Sequence, residues 1–368
     1  LKKFLVVFFL LLIGHSGHSQ LSNSLLASSN TDSLFGNNVK LGFFIENVNY
    51  LRNTEYHSAI EQGATWAGAQ IWPQLYYRYN SNLTFKAGVF LQKDLGNNNF
   101  RTLIPTYTLT YTKNNLKVNF GTLDGSLDHH LIEPLYANEH FIDKRIENGL
   151  QFKGKTKWLK YDAWIDWEKM IYRNSTFPEL FTTGVSTKLR LVRKEDFKVN
   201  IPFQMVLRHQ GGEIYQGAHS NIKTQVNMAY GLQIIKEMPE KAIDKVDFQA
   251  YYTIYEDLAP SKADSFFDGT GVYVSLALHK KNAGLMLNYW DAHQYVSPLG
   301  EPLYVSKSRI NETDYLQYRK MVMLRFMYEA KVWENFSLVA RINNIYDISE
   351  KEFNNVVEIY TKFNIGWH

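Results

Sequence analysis

The stretch IKTQVNMAYGLQI, residues 222–234, decides how the rest of the chain reads. Ile222, Val226, Met228, Tyr230, Leu232 and Ile234 fall on one parity, and Lys223, Gln225, Asn227, Ala229, Gly231 and Gln233 on the other. A period of two gives an extended strand with one apolar and one polar face. Such a strand is far longer than the usual globular one of about five or six residues. It reaches the roughly 9 to 11 residues that a tilted strand needs to cross a bilayer.

The same pattern recurs almost to the end of the chain. In IWPQLYYRYN (71–80), Ile71, Leu75, Tyr77 and Tyr79 share one face; in LTFKAGVFLQ (83–92), Leu83, Phe85, Ala87, Val89 and Leu91 do. In VMLRFMYEAKV (322–332), Val322, Leu324, Phe326, Tyr328, Ala330 and Val332 oppose Arg325, Glu329 and Lys331. Sixteen segments fit: 38–50, 66–80, 83–94, 101–113, 116–125, 147–157, 159–172, 179–193, 197–209, 222–236, 244–256, 269–280, 283–295, 315–332, 335–346 and 353–368. The last, ending FNIGWH, places Trp367 on the apolar parity and predicts a closing strand paired to the first near Val39–Glu46.

The connections sort into two sets. Ser81-Asn82, 113–115, 193–196, 239–241, 280–282 and 333–335 are short, whereas 52–65, 128–146, 210–221, 256–268 and 294–315 are long and polar. Short and long alternate, as when short turns lie on one side of a membrane and long loops on the other. Inside hydrocarbon every backbone polar group must be paired, so a sheet crosses only when closed on itself. The expected fold is therefore all-β: a transmembrane antiparallel up-and-down barrel of about 16 strands, with 14 to 18 allowed. Trp66, Tyr111, Trp158, Tyr172, Tyr255, Tyr289, Trp333, Tyr346 and Trp367 are candidates for interfacial aromatic girdles.

Composition agrees. Of 368 residues 45% are hydrophobic and 15% aromatic, yet mean hydropathy is slightly polar. Absence of cysteine excludes disulfides, thiolate metal sites and a cysteine nucleophile. A net charge of +4, without a basic tract, gives no reason to expect nucleic acid. Residues 1–19 have the parts of a secretory signal: Lys2 and Lys3, the apolar run Phe4–Ile13, then small residues to Ser19. That predicts a signal peptide at 1–19, a periplasmic tail at 20–37, and a barrel at 38–368 with both termini in the periplasm.

With these features the chain resembles outer-membrane porin-type barrels. Its Asn/Lys/Tyr/Phe-rich composition resembles proteins of Bacteroidota. The resemblance rests on architecture, without a family motif, and implies a third surface loop folded inward as a constriction. Its candidates are Asp128, His129, His130, Glu133, Glu139, His140 and Asp143. The polar parity independently proposes basic lumen residues Arg78, Lys86, Lys117, Lys153, Lys155, Arg190, Arg325 and Arg341. Acids on that face, among them Glu46, Asp162, Asp166, Glu168, Asp247, Glu329 and Glu358, are fewer, which predicts mild anion preference.

Asp128, His129, His130 and Glu133 also have the donor types of a zinc site, but adjacent loop histidines more often face water, so no metal is expected. Rim histidines His209, His219 and His293, with Ser220 and Ser297 nearby, lack a nucleophile elbow. The sequence therefore predicts no cofactor, no catalytic residue and no enzyme. The expected role is a channel for small hydrophilic, mildly anionic solutes. Its partners would be outer-membrane lipids and lipopolysaccharide, with a possible homotrimer. The rival is a non-catalytic barrel that docks partners in an export, assembly or uptake complex.

Overall fold

A computed structural model describes residues 26–27, 35–36, 39–211, 222–239, 241–259, 265–311 and 313–368. The signal segment, most of the 20–37 tail, His219 and Ser220 lie outside these. Sixteen strands form: β1 (Leu41–Glu55), β2 (Thr65–Arg78), β3 (Leu83–Asp94), β4 (Thr102–Lys113), β5 (Leu116–Thr122), β6 (Asn148–Lys155), β7 (Leu159–Lys169) and β8 (Glu179–Arg193). The second half comprises β9 (Phe197–Gly211), β10 (Lys223–Glu237), β11 (Lys245–Asp257), β12 (Asp268–Lys280), β13 (Ala283–His293), β14 (Tyr318–Trp333), β15 (Phe336–Asp347) and β16 (Glu352–Trp367).

Each strand pairs antiparallel with its sequence neighbours, and β1 pairs with β16, closing the sheet. The seam runs from Phe43 opposite Trp367 to Glu55 opposite Asn355. Period two sets which face is which: Leu75, Phe85, Leu324 and Phe326 stand exposed on the outer wall, while Gln74, Arg325 and Glu329 are buried in the lumen. A continuous apolar outer wall is unfavourable in water and favourable in lipid. Three register shifts interrupt the ladder, at Arg190/Val192, Trp167/Lys169 and Lys331/Trp333. By the last of them Ala330 is buried and Lys331 exposed, reversing the parity expected there. Parity also removes two aromatics from the girdles: Tyr255 is buried in the lumen and Trp66 packs against an internal cluster.

The two ends differ, though less regularly than expected. One end has turns such as 81–82 and 114–115. The other carries the 123–147 and 294–317 connections, but also the tight 348–351 turn. Both of these longest connections fold into the barrel. Together they supply Ile132, Leu135, Tyr295, Val296, Leu303 and Tyr304 to a core that packs on Tyr251, Tyr255, Tyr273 and Trp290 of the wall. A second cluster joins Phe141 and Ile142 to Val48, Val339, Tyr360 and Leu26, so part of the N-terminal segment also lies inside.

Candidate functional site: the lumen and its inward loops

The 123–147 loop is held by ions. His129 is fully buried, with Nδ1 2.9 Å from Asp162 Oδ2 and Nε2 2.8 Å from Glu147 Oε2. Carboxylates only accept, so both ring nitrogens must donate and the ring is an imidazolium. Burial alone would lower its pKa; the flanking carboxylates outweigh that and raise it to about 10. The ring stacks on Trp164 at 3.6 Å, and Tyr136 donates to Glu147 at 2.6 Å. With both nitrogens engaged, His129 has no lone pair to offer a metal, and the zinc reading of 128–130 loses its central ligand.

The remaining loop candidates divide. Glu133 is buried 2.5 Å from Arg325 and accepts from Tyr304 at 3.2 Å. Glu139 is buried 3.2 Å from Arg52. His140 lies 3.0 Å from the Leu299 carbonyl through Nε2 and 3.0 Å from Asp143 through Nδ1, and Asp143 is itself exposed. Asp128 and His130 line a cavity of about 570 Å³ that reaches the short-turn end between β6 and β13.

The 294–317 loop completes the insertion, and sequence reading missed it. Glu301 donates its N–H to the Glu133 carbonyl, Ala137 donates to the Leu299 carbonyl, and Tyr295 Oη donates to the Pro134 carbonyl. Arg52 gathers Glu139, Glu301 and Glu358 within 3.2 Å. Burial raises the Glu301 pKa to about 8, Glu139 adding to the rise and Arg52 opposing it. The missed signal was composition: Tyr295, Val296, Leu299, Leu303, Tyr304 and Val305 are too apolar for a loop bathed in water.

The basic candidates are not one ring. Arg78 donates to Tyr76 Oη at 2.7 Å. Arg341 pairs with Glu358 at 2.9 Å. Lys117 and Lys153 share Asp124 at 2.8 and 2.9 Å. Lys86 is half-buried on β3, paired across the sheet with Tyr76 and Thr108. Lys155 and Arg190 line the cavity.

 On the outer wall, one residue from lumen-facing Arg208, His209 Nδ1 sits 2.9 Å from Thr224 Oγ1, beside the Phe181 ring. This pair is at the long-loop end of β9 and β10. His293 lies against Tyr318 on the outer wall, while Ser297 accepts the Gly300 N–H inside the lumen, so those two are not brought together.

The model of the Lipid A 3′-O-deacylase-type family matches residues 31–368. No curated protein matches the chain in sequence. Among solved structures, OprD of Pseudomonas aeruginosa superposes with a TM-score of 0.54 at 9% identity, over 93% of this chain and 98% of that one. The OmpT loop L8 deletion mutant of Vibrio cholerae gives 0.53 at 10% identity, over 88% and 98%. OpdK of Pseudomonas aeruginosa with vanillate gives 0.51 at 8%, over 89% and 99%. At such identities the likeness is one of fold, and it agrees with a closed outer-membrane barrel. The family match corrects the expectation that the protein is no enzyme, because the family is named for an enzymatic deacylation.

Proposed function

The chain belongs to the Lipid A 3′-O-deacylase-type family, and within that barrel framework we propose that its lumen admits small hydrophilic anions from the short-turn mouth. We place that mouth, with both termini, in the periplasm, and assign Asp128, His130 and Glu133 to the narrowing. The observation that carries this reading is the 570 Å³ cavity, whose wall keeps cations left over after its acids are paired. Fixed charge of one sign sets ion preference in a narrow pore. Planar-bilayer recording tests it: stable steps with a reversal potential favouring chloride over potassium are expected. A barrel that passes no current, or prefers potassium, would overturn it.

A second reading follows from the family name and the His209–Thr224 contact. An imidazole 2.9 Å from a hydroxyl is the geometry in which a base activates a nucleophile. On the outer wall that hydroxyl would attack the ester carbonyl of a lipopolysaccharide acyl chain, His209 taking its proton and passing it to the departing sugar hydroxyl. Water would then release the fatty acid from the acyl-enzyme. Mass spectrometry of lipid A incubated with the wild type and with His209→Ala would detect loss of one acyl chain only with the wild type. Intact lipid A in both samples would remove this reading and leave the channel untouched.

A further inference from the structure

Along the short-turn end of the cavity, Lys155 of β6 is directly opposite Lys160 of β7, and Lys160 is directly opposite Lys188 of β8. Side chains so placed on one face of neighbouring strands lie about 5 Å apart at their bases, and like charges there repel. A row of three serves folding poorly. Nor does the surrounding cavity neutralise it. Asp162 is held by His129, Glu133 by Arg325, Glu237 by Lys198, and Asp247 by Gln233 with Lys245 nearby. Asp128 lies 3.7 Å from Lys153. Among the described residues, the side-chain ammonium groups of Lys155, Lys160 and Lys188 are left without an ion-pair or hydrogen-bond partner. Arg190, on the same wall, gives one hydrogen bond to the Thr156 carbonyl and keeps its other donors.

We propose that Lys155, Lys160, Lys188 and Arg190 form a binding site for a compact oxyanion with two or more negative charges, of the phosphate class. The site rests on the anion-admitting reading above and names its solute class. Three ammonium groups on adjacent strands can converge on one tetrahedral anion, each giving a charge-assisted hydrogen bond. A singly charged chloride has no such set of acceptors to offer. The acids of the cavity wall are engaged by other partners, so an entering anion meets uncompensated positive charge here.

Inorganic phosphate is the probe. In bilayer recordings it should inhibit chloride current saturably, and titration calorimetry on the detergent-purified barrel should register phosphate binding directly. Lys160→Gln with Lys188→Gln should weaken both by roughly a hundredfold, about tenfold for each charged contact removed. Lys194→Gln, on the adjoining turn, should change neither. A heat-modifiable gel shift equal to that of the wild type would establish that the double variant folds. Phosphate binding by a barrel that carries no current would sustain the site and overturn the channel reading. A conducting wild type with no phosphate binding, or a double variant that binds phosphate as the wild type does, would overturn the site.

Discussion

Replacing His129 by Leu should open the 123–147 loop without unfolding the barrel. Among the described residues, the imidazolium is the only cation within hydrogen-bonding distance of both Glu147 and Asp162. Taking one partner from a buried ion pair costs about 3 to 5 kcal/mol, because the remaining charge stays desolvated. Here Glu147 would keep Tyr136 and Asp162 would keep Gln151, which places the cost at the lower end. About 3 kcal/mol is a factor of roughly 150 in the opening equilibrium. Arg325–Glu133 and Arg52–Glu139 would still tether the loop, and the strand ladder is untouched. Hydrogen exchange should therefore accelerate by about a hundredfold at Leu135, Tyr136 and Ala137 and stay constant across the β1–β16 seam. Alkali should reproduce the effect in the wild type. The folded pKa of His129 lies above its unfolded value, so its stabilisation is full below about pH 6.5 and is lost as pH rises toward about 10. Exchange at 135–137 that is unchanged in His129→Leu, or protection that grows between pH 7 and 10, would refute the imidazolium clasp.

Three further outcomes follow from the wall. Leu324→Arg puts a charge on the lipid face in the middle of β14 and should destabilise the barrel by about 2 to 4 kcal/mol in urea titrations in lipid. Gly231→Val should cost a similar amount, roughly 2 to 4 kcal/mol, because a Cβ there would lie 2.0 Å from the Ala250 carbonyl oxygen. Deleting 364–368 removes the pairs from Phe43–Trp367 to Glu46–Asn364 and should abolish the heat-modifiable folded form, not merely loosen an end.

The barrel was legible because lipid enforces parity. Every residue of 222–234 that faces outward must be tolerable to hydrocarbon, so the pattern survives in one sequence without comparison to another. The closing strand was legible for the same reason, and Trp367 pairs with Phe43 near the place expected. What parity cannot convey is the interior. In β12 and β13, Tyr273 and Trp290 break the polar parity because an inward loop covers them, and their partners Tyr295 and Tyr304 lie in a connection whose inward fold no strand parity records. The loop residues 128–143 were found as a cluster of charged types, but their ion pairs with Arg52 and Arg325 depend on closure of the whole sheet. Lys155, too, was visible as a lumen cation; its alignment with Lys160 and Lys188 required the register of two hairpins.

Alternation also places two chemistries back to back on β9. Arg208 faces the lumen, 3.3 Å from Glu168, and His209 faces outward against Thr224. One peptide bond separates them, yet the wall insulates them, since a strand side chain reaches only its own face. Arg208→Gln should therefore alter ion selectivity and leave any acyl-chain removal from lipid A unchanged. His209→Ala should do the reverse, with conductance and its phosphate inhibition intact. If either substitution impaired both properties in a barrel of normal heat-modifiable mobility, transport and acyl hydrolysis could not be assigned to opposite faces of this wall. A single shared site, reached from one side, would then have to replace the two proposed here.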